Sequence, residues 1–372
     1  MEFENYEQRP SAIIRCEGDS LRAFVGDTLP GIGESLEIRS EAGDSVFAVV
    51  RRHVGGREVD ALLLDPPAWV QPGCAVHATG KDAHMPLPSA GVTQLKDLAF
   101  SAGAEDATDT FAFRARELAF AELNGARPAL STGFGPVDTL APVAAAGVNL
   151  VLDASPNADA FNTLCARIAA AGDFDAKLRL SNDGSPADWV THQLELEPNP
   201  ARQLTGVRVL TNWAARLRDQ GQNLLVCAEL PPLSTPGFTS PEDAAQGTSI
   251  GEVIDLLGTA LSSTHTATVT TLLRLPLFDS AAGIDAIIET MSLGDVDAQI
   301  FVDADTRFVP TRSTSRAQLD ADAQSQQQQL LSLLNRAANA RDKAALLGEF
   351  GVTDAELQAI ADADQLNVSL LD

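Results

Sequence analysis

The chain has 372 residues and a formal net charge of −25, and its length allows two or three domains with their own cores. This acidity argues against direct binding to nucleic acid or anionic lipid, because both present negative charge. The four cysteines lie far apart without CxxC spacing, so neither a zinc site nor a disulfide framework is indicated.

Short alternating apolar runs fill residues 1–92, and turn residues separate them. Gly55-Gly56 lies between two of these runs and is typical of a β-hairpin. Six short strands without a helical period predict a small closed β-barrel. No aromatic stacking platform or basic stripe accompanies them, so we expect no nucleic-acid binding. The predicted strands are Ser11–Cys16, Leu21–Val25, Ser35–Arg39, Ser45–Arg52, Glu58–Leu64 and Ala75–Ala78.

Residues 93–318 change to helical stretches that alternate with apolar strands, which predicts a parallel sheet with helices on both faces. The predicted helices are Ala112–Leu123, Asn157–Ala171 and Pro200–Gln220. The predicted strands are Asn149–Leu152, Ala176–Leu180, Asn223–Ala228, Thr266–Leu275 and Ala298–Val302. Ligands of such sheets bind beyond the carboxyl ends of the strands. The loop after residue 152 and Glu229 both follow a strand end of that kind.

That loop has the layout of a phosphate-binding site, since a strand precedes it and a helix follows. A P-loop, G-x-x-x-x-G-K-[ST], belongs in this place because its backbone N–H groups and its Lys hold phosphates. Here the Lys position is Asp159, the hydroxyl position is Ala160, and neither Gly position holds Gly. The eight residues are Asp153, Ala154, Ser155, Pro156, Asn157, Ala158, Asp159 and Ala160. The RecA-like surroundings of a nucleotide site are present, while the site itself is degenerate.

Residues 319–372 predict a small helical domain. Gln324–Ala340 reads as a helix with an apolar face. Thr353 followed by Glu356 is a capping-box pattern that starts a last helix. Gly348 and Gly351 separate the two helices.

Several segments, in this order, resemble the catalytic β subunit of F-type ATP synthases. STGFGPVDTLAP is similar to that family's lead-in to the P-loop, TGIKVVDLLAP. The segment LTGVRVLTNWAARLRDQGQNLLVCAEL is similar to the helix and strand that end at the Walker B aspartate, and SSTHTATVTTLLRLPL to a following strand. RSTSR (Arg312–Arg316) matches the DSTSR signature, and LLSLLNRAANARDKAALLGEFGVTDAEL resembles the C-terminal helices that face the rotor shaft. Flagellar and secretion export ATPases share this layout, but RDQGQNLL and STSR favour the β subunit.

The resemblance also shows what has changed at the ATPase site. Asp159 sets a carboxylate where phosphate would lie, and two like charges about 4 Å apart repel by roughly 4 kcal/mol near a protein surface. Pro156 removes one N–H donor. Glu229 stands at the Walker B position, a carboxylate that could equally cap a strand end. Ser181 or Asn182 takes the place of the general-base Glu, with Asp183 one register shift away. The position that holds the family's adenine-pocket aromatic is Asp305 here, and Phe308 could take that position only with a gap in the alignment.

These changes together predict a catalytically inactive β-like subunit without a bound cofactor or metal, in a structural or regulatory role. Its expected partners are ATP synthase α/β-type subunits or copies of itself in a ring, with contact to a central shaft as a further expectation. Arg316 is a candidate interface residue, or the partner in an internal salt bridge. The expected location is cytoplasmic, without membrane insertion, or at the inner membrane through a complex.

Two other functions stay open from the sequence alone. The chain could be a free inhibitor or assembly factor that docks on ATP synthase subunits. It could also be an enzyme of another class, if Asp153, Asp159 and Glu229 formed a carboxylate cluster around a cation.

Overall fold

The structure is a computed structural model that describes residues 10–26, 28–88, 91–103, 110–114, 116, 118–181, 187–195, 200–230, 262–277, 296–347, 351–366 and 369–371. The described strands are β1 Ala12–Glu17, β2 Ser20–Phe24, β3 Glu34–Arg39, β4 Ser45–Gly55, β5 Glu58–Leu62, β6 Ala75–Pro86, β7 Gly91–Gln94, β8 Ser101–Ala102, β9 Thr110–Ala112, β10 Ala129–Leu130, β11 Val143–Ala144, β12 Val148–Asp153, β13 Ala176–Ser181, β14 His192–Glu195, β15 Leu224–Glu229, β16 Val269–Pro276, β17 Ala298–Val302 and β18 Thr314–Ser315. The described α-helices are α1 Gly135–Leu140, α2 Asp159–Ala171, α3 Pro200–Asp219, α4 Ala321–Leu347 and α5 Asp354–Asp364.

The chain divides into two compact units. The first contains Met1–Arg116, Ser181–Pro186 and His192–Arg216, and the second contains Glu117–Leu180, Ala187–Thr191 and Leu217–Asp372. The domain boundaries predicted at 92/93 and 318/319 stay predictions.

The first unit holds a closed antiparallel barrel. Its strand order is β1-β2-β5-β4-β3-β6, and β6 pairs again with β1 through Ala12 and Ala75. Alternating side chains of these strands fill the interior, with Leu36, Ile38 and Val59 fully buried, as expected when a sheet closes around one apolar face. The predicted barrel is confirmed. The hairpin predicted at Gly55-Gly56 joins β4 to β5, and both glycines have positive φ, 122° and 56°.

The helix predicted over Ala112–Leu123 is wrong for the residues described. Ala112 ends strand β9, which pairs with β6, and only Phe120–Glu122 forms a 3₁₀ turn. The alternation of Phe111 and Phe113, both buried, explains the difference. Phe113 packs edge-on against Phe100, with ring centroids 5.2 Å apart. Sheet pairing and aromatic burial thus override the helical propensity of this segment.

The second unit contains a mostly parallel sheet in the order β18-β17-β12-β16-β15-β13. The strands from β17 to β13 are parallel, and β18 adds antiparallel to β17. All six residues of β12 and all eight of β16 are buried, which is typical of central strands covered on both faces. The predicted α/β core is confirmed.

Helices α1 and α2 cover one face of this sheet. Phe161, Leu164 and Ile168 of α2 pack with Val151 and Leu272 of the strands in one buried cluster. The spacing of three and four residues along α2 places these side chains on one stripe. This packing fixes α2, and therefore the loop before it, against the carboxyl edge of β12.

The C-terminal region is the predicted helical pair, α4 and α5. Thr353 and Glu356 form the expected capping box, in which the Thr353 N–H donates to Glu356 Oε2 at 2.7 Å. Lys343 of α4 pairs with Glu356 at 3.1 Å and links the two helices. None of the helices in the described ranges is long and apolar enough to cross a membrane.

Candidate functional site

The loop of residues 153–160 lies at the carboxyl edge of the parallel sheet. Register pairs Arg274 of β16 with Val151 of β12 and with Glu229 of β15. Paired residues of parallel strands share a face, and so do residues two apart along a strand. Asp153, Glu229 and Arg274 therefore lie together on the face that α2 covers.

Asp153 is a fully buried carboxylate, 0% exposed. Its Oδ1 accepts hydrogen bonds from the Ser155 N–H at 2.9 Å and from the Ser155 hydroxyl. Its Oδ2 accepts from Arg274 Nε at 2.7 Å. Each carboxylate oxygen therefore has a partner within the chain, which buried charges require.

Arg274 contacts both carboxylates and the loop of this site. The side chain is 7% exposed, and three of its nitrogens are used. Besides the bond to Asp153, Nη1 donates to Glu229 Oε2 at 2.9 Å and Nη2 donates to the Asn157 carbonyl at 2.6 Å, with a longer contact to the Ser155 carbonyl at 3.4 Å. One guanidinium thus binds two carboxylates and the loop, and its fork of donors suits that geometry.

The loop backbone is turned so that carbonyl groups face the guanidinium. A phosphate-binding loop works the other way, with N–H groups directed at the ligand. Three N–H groups here have internal acceptors: Ala154 donates to the Val302 carbonyl at 2.9 Å, Ser155 donates to Asp153, and Asp159 donates to Asn157 Oδ1 at 3.2 Å. The arrangement described is therefore suited to hold a cation, and Arg274 supplies one.

Asp159 and Ala160 lie apart from this network. Asp159 is exposed on the first turn of α2, where a carboxylate interacts favourably with the helix dipole. Ala160 is 0% exposed and packs in the core below α2. The three carboxylates considered for a cation are thus divided, because Asp153 and Glu229 bind Arg274 while Asp159 is at the surface. Within the described ranges, no three His, Cys, Asp or Glu side chains are grouped to hold a metal ion.

The other predicted site residues lie at the end of β13 and in the segment after β17. Ser181 ends β13 and is 1% exposed, while Asn182 and Asp183 lie outside the described residues. Asp305 is exposed. Phe308 is 1% exposed within the core of the second unit, so its ring packs against protein rather than facing a base-binding surface.

Arg316 follows β18 and is exposed. Its backbone N–H donates to the Asp297 carbonyl at 2.7 Å. An exposed side chain at a sheet edge is compatible with the predicted interface role, which stays a prediction.

Sequence reasoning missed Arg274, although a signal was present. The residue stands between Leu273 and Leu275 in a run of otherwise uncharged residues that ends at Phe278. A charged residue in a buried strand needs a partner of opposite charge. The two carboxylates at the ends of neighbouring strands were the available partners.

Comparison with known proteins places this geometry in context. Over 130 residues, 34% of this chain, the sequence is 30% identical to ATP synthase subunit beta 2 of Burkholderia pseudomallei and of Burkholderia mallei. The same protein of Burkholderia thailandensis is 29% identical over 130 residues. The match spans 24% of the length of the first of these relatives, and no family model matches the chain.

The fold comparison covers almost the whole chain. The assembled ATPase EscN of the enteropathogenic Escherichia coli type III secretion system superposes with a TM-score of 0.67 over 95% of this chain and 93% of that one, at 12% identity. This chain resembles the catalytic-head subunits of rotary ATPases. The predicted resemblance and the predicted fold class are confirmed. The chain has the EscN fold, with the Arg274 network at the edge of its parallel sheet where the P-loop pattern predicts a phosphate site.

Proposed function

We propose that this chain is a rotary-ATPase-type subunit that does not hydrolyse ATP and acts as a structural or regulatory member of an assembly. The sequence relatives and the EscN fold support the subunit class. The Arg274 network carries the proposal of inactivity. Its partners would be ATP synthase α/β-type subunits or further copies of this chain.

The network supports inactivity through charge and through hydrogen bonding. A triphosphate with magnesium needs N–H donors and a Lys beside it, together with a carboxylate free to bind the metal. Here Glu229 is occupied by Arg274, and the loop directs carbonyl groups to the same guanidinium. Binding phosphate in this place would require the loop to turn and the buried ion pair of Asp153 and Arg274 to break, which costs about 3–5 kcal/mol when one partner is lost.

A rebuilt P-loop tests this explanation. Restoring the pattern means Asp153→Gly, Ala158→Gly, Asp159→Lys and Ala160→Thr, but Asp153→Gly alone would leave Arg274 without its buried partner. The rebuilt variant therefore also carries Arg274→Leu. A matched control carries Asp153→Asn and Arg274→Leu without the P-loop residues.

We expect MgATP to bind to the rebuilt variant and not to wild type or to the control, measured by equilibrium dialysis with labelled nucleotide. Hydrolysis of ATP by purified wild type, above the level of a sample with Glu229→Gln, would overturn the proposal of inactivity.

The assembly role is tested by native purification. We expect the tagged chain at native abundance to elute as a complex containing ATP synthase-type subunits or several copies of itself. Elution as a lone monomer would contradict the assembly role. Stoichiometry separates a subunit from a docking inhibitor, because an inhibitor would be substoichiometric.

A further inference from the structure

Asn124 and Gly125 form the one Asn-Gly pair in the sequence. They lie in the connection between the 3₁₀ turn Phe120–Glu122 and strand β10. In such a pair, the side-chain amide carbon of Asn stands near the backbone nitrogen of the next residue, and glycine has no Cβ to obstruct that nitrogen. The pair is therefore a candidate for attack of the backbone on its own side chain.

The Asn124 side chain is held in a conformation that favours this attack. Its Oδ1 accepts a hydrogen bond from the Ala126 N–H at 3.0 Å, which closes an Asx turn around Gly125. The turn bends the side-chain amide towards the peptide group that joins the two residues. The Ala126 N–H also lies where negative charge develops on Oδ1 when the amide carbon becomes tetrahedral, and a fixed N–H donor stabilises such an oxyanion.

The two nitrogens that react have no other ties within the described residues. Neither the Gly125 N–H nor Asn124 Nδ2 has a hydrogen-bond partner there. Gly125 is exposed, and no atom lies within 4 Å of the place its Cβ would take. Water therefore reaches the pair, and the amide nitrogen can leave without breaking a contact.

Three other asparagines show the contrast. Asn149 is 0% exposed, and its Nδ2 donates to three carbonyl groups. Asn212 is buried and donates to the Phe113 carbonyl. Asn223 Oδ1 accepts from the N–H and the hydroxyl of Thr268. Each of the three is followed by a large apolar residue, so neither the nucleophile nor the amide is as accessible as in Asn124-Gly125.

We propose that Asn124 deamidates in the folded chain through a cyclic imide. The Gly125 nitrogen gives its proton to hydroxide and bonds to Asn124 Cγ. The Cγ–Nδ2 bond then breaks, and Nδ2 takes a proton from water and leaves as ammonia. Water opens the imide at either carbonyl, which leaves Asp or isoaspartate at position 124. The net change is the conversion of an amide and a water molecule into a carboxylate and ammonia, and it does not depend on the proposed function.

The reaction would alter the contacts that hold this connection within the second unit. The Asn124 N–H donates to the Ser263 carbonyl at 3.0 Å, and Leu123 forms a bridge with Thr264. Arg127 Nη1 donates to the Asn124 carbonyl at 2.6 Å. In isoaspartate the main chain runs through Cβ and Cγ, so it is longer at this point, and the carbonyl that Arg127 binds becomes a free carboxylate.

Peptide mapping by mass spectrometry tests the proposal on the full chain. Folded wild type is incubated for several days at mildly alkaline pH in water enriched in heavy oxygen. We expect Asn124 to convert to Asp and isoaspartate with uptake of one heavy oxygen atom, about tenfold or more faster than Asn149 and Asn223 react.

Gly125→Val is the matched variant. A side chain has room at this position, and the φ of Gly125 lies outside the left-handed range, so we expect thermal unfolding like that of wild type. The β-branched side chain crowds the attacking nitrogen, and we expect deamidation to slow by about tenfold or more.

Four results would overturn the proposal. They are an intact Asn124 in incubated wild type, conversion of Asn149 or Asn223 at the same rate, reaction of folded Gly125→Val at the wild-type rate, and Asp as the sole product. The last result would indicate direct hydrolysis of the side-chain amide, because only the cyclic imide leads to isoaspartate.

Discussion

Removing the Arg274 side chain should destabilise the second unit more than removing any exposed charged side chain does. In Arg274→Leu, the buried Asp153 loses the partner 2.7 Å away, and Glu229 loses its bond at 2.9 Å. Breaking a buried ion pair by removing one partner costs about 3–5 kcal/mol, because the remaining charge stays buried. Glu229 adds less, since its side chain is 15% exposed and water can replace part of the contact.

Urea unfolding followed by Trp189 fluorescence measures this loss, because Trp189 packs against the core of the second unit. Trp69→Phe and Trp213→Phe in every sample leave Trp189 as the reporter. Arg341→Leu is the matched control, since Arg341 pairs with Asp364 where the side chains are 46% and 65% exposed, and we expect it to cost less than about 1 kcal/mol. The double variant Asp153→Asn with Arg274→Leu should lose less free energy of unfolding than the sum of the losses in the two single variants, because the two residues form one coupled pair. A loss below about 1 kcal/mol in Arg274→Leu, or exact additivity in the double variant, would refute the buried-pair reasoning.

Three further predictions concern other parts of the chain. Hydrogen bonds from the Thr353 backbone and side chain, and from Lys343, lower the pKa of Glu356 from 4.5 to about 2. The stability that Glu356 gives the helical end is therefore full above pH 4.5 and is lost as the pH falls towards 2. In Glu356→Gln, circular dichroism should show a smaller loss of helix on acidification, and a pH profile equal to that of wild type would contradict this role. Burial, with Cys227 beside it, raises the pKa of the Cys165 thiol well above its usual range. Because both thiols are buried, Cys165 and Cys227 should react with a thiol reagent only after unfolding. Rapid labelling of either residue in the folded chain would contradict their burial in the core of the second unit. Leu164→Ala should cost about 2–5 kcal/mol in urea unfolding because Leu164 is 1% exposed in the core, and a near-neutral result would place Leu164 elsewhere.

The architecture could be predicted from the sequence because the pattern of apolar residues determines which segments form strands and helices of the core. The barrel strands alternate, β12 and β16 are mostly apolar and buried along their whole length, and the capping box at Thr353 is a local signal. The error at Ala112–Leu123 has the opposite origin. Its helical propensity is local, while the pairing of β9 with β6 is a long-range contact that no local window contains.

The position of the loop between β12 and α2 was predicted, but its contacts with Arg274 were not. The strand–loop–helix layout places the loop correctly between β12 and α2, and Glu229 does end β15. The spacing of residues along the chain could not show that Arg274 contacts Asp153, because Arg274 lies more than a hundred residues later, on the strand that pairs with β12. Asp159 is exposed on the first turn of α2, and its expected place beside a phosphate stays a prediction.

Calorimetric titration of the wild-type chain with MgATP and MgADP tests the central claim most directly. With Arg274 bound to Asp153, Glu229 and the loop carbonyls, we predict no heat of binding for either nucleotide up to millimolar concentration, that is, a binding free energy weaker than about −4 kcal/mol. Saturable binding with a micromolar Kd, abolished by a charge change in the Asp153–Ala160 loop, would contradict the account and show that this loop still binds phosphate.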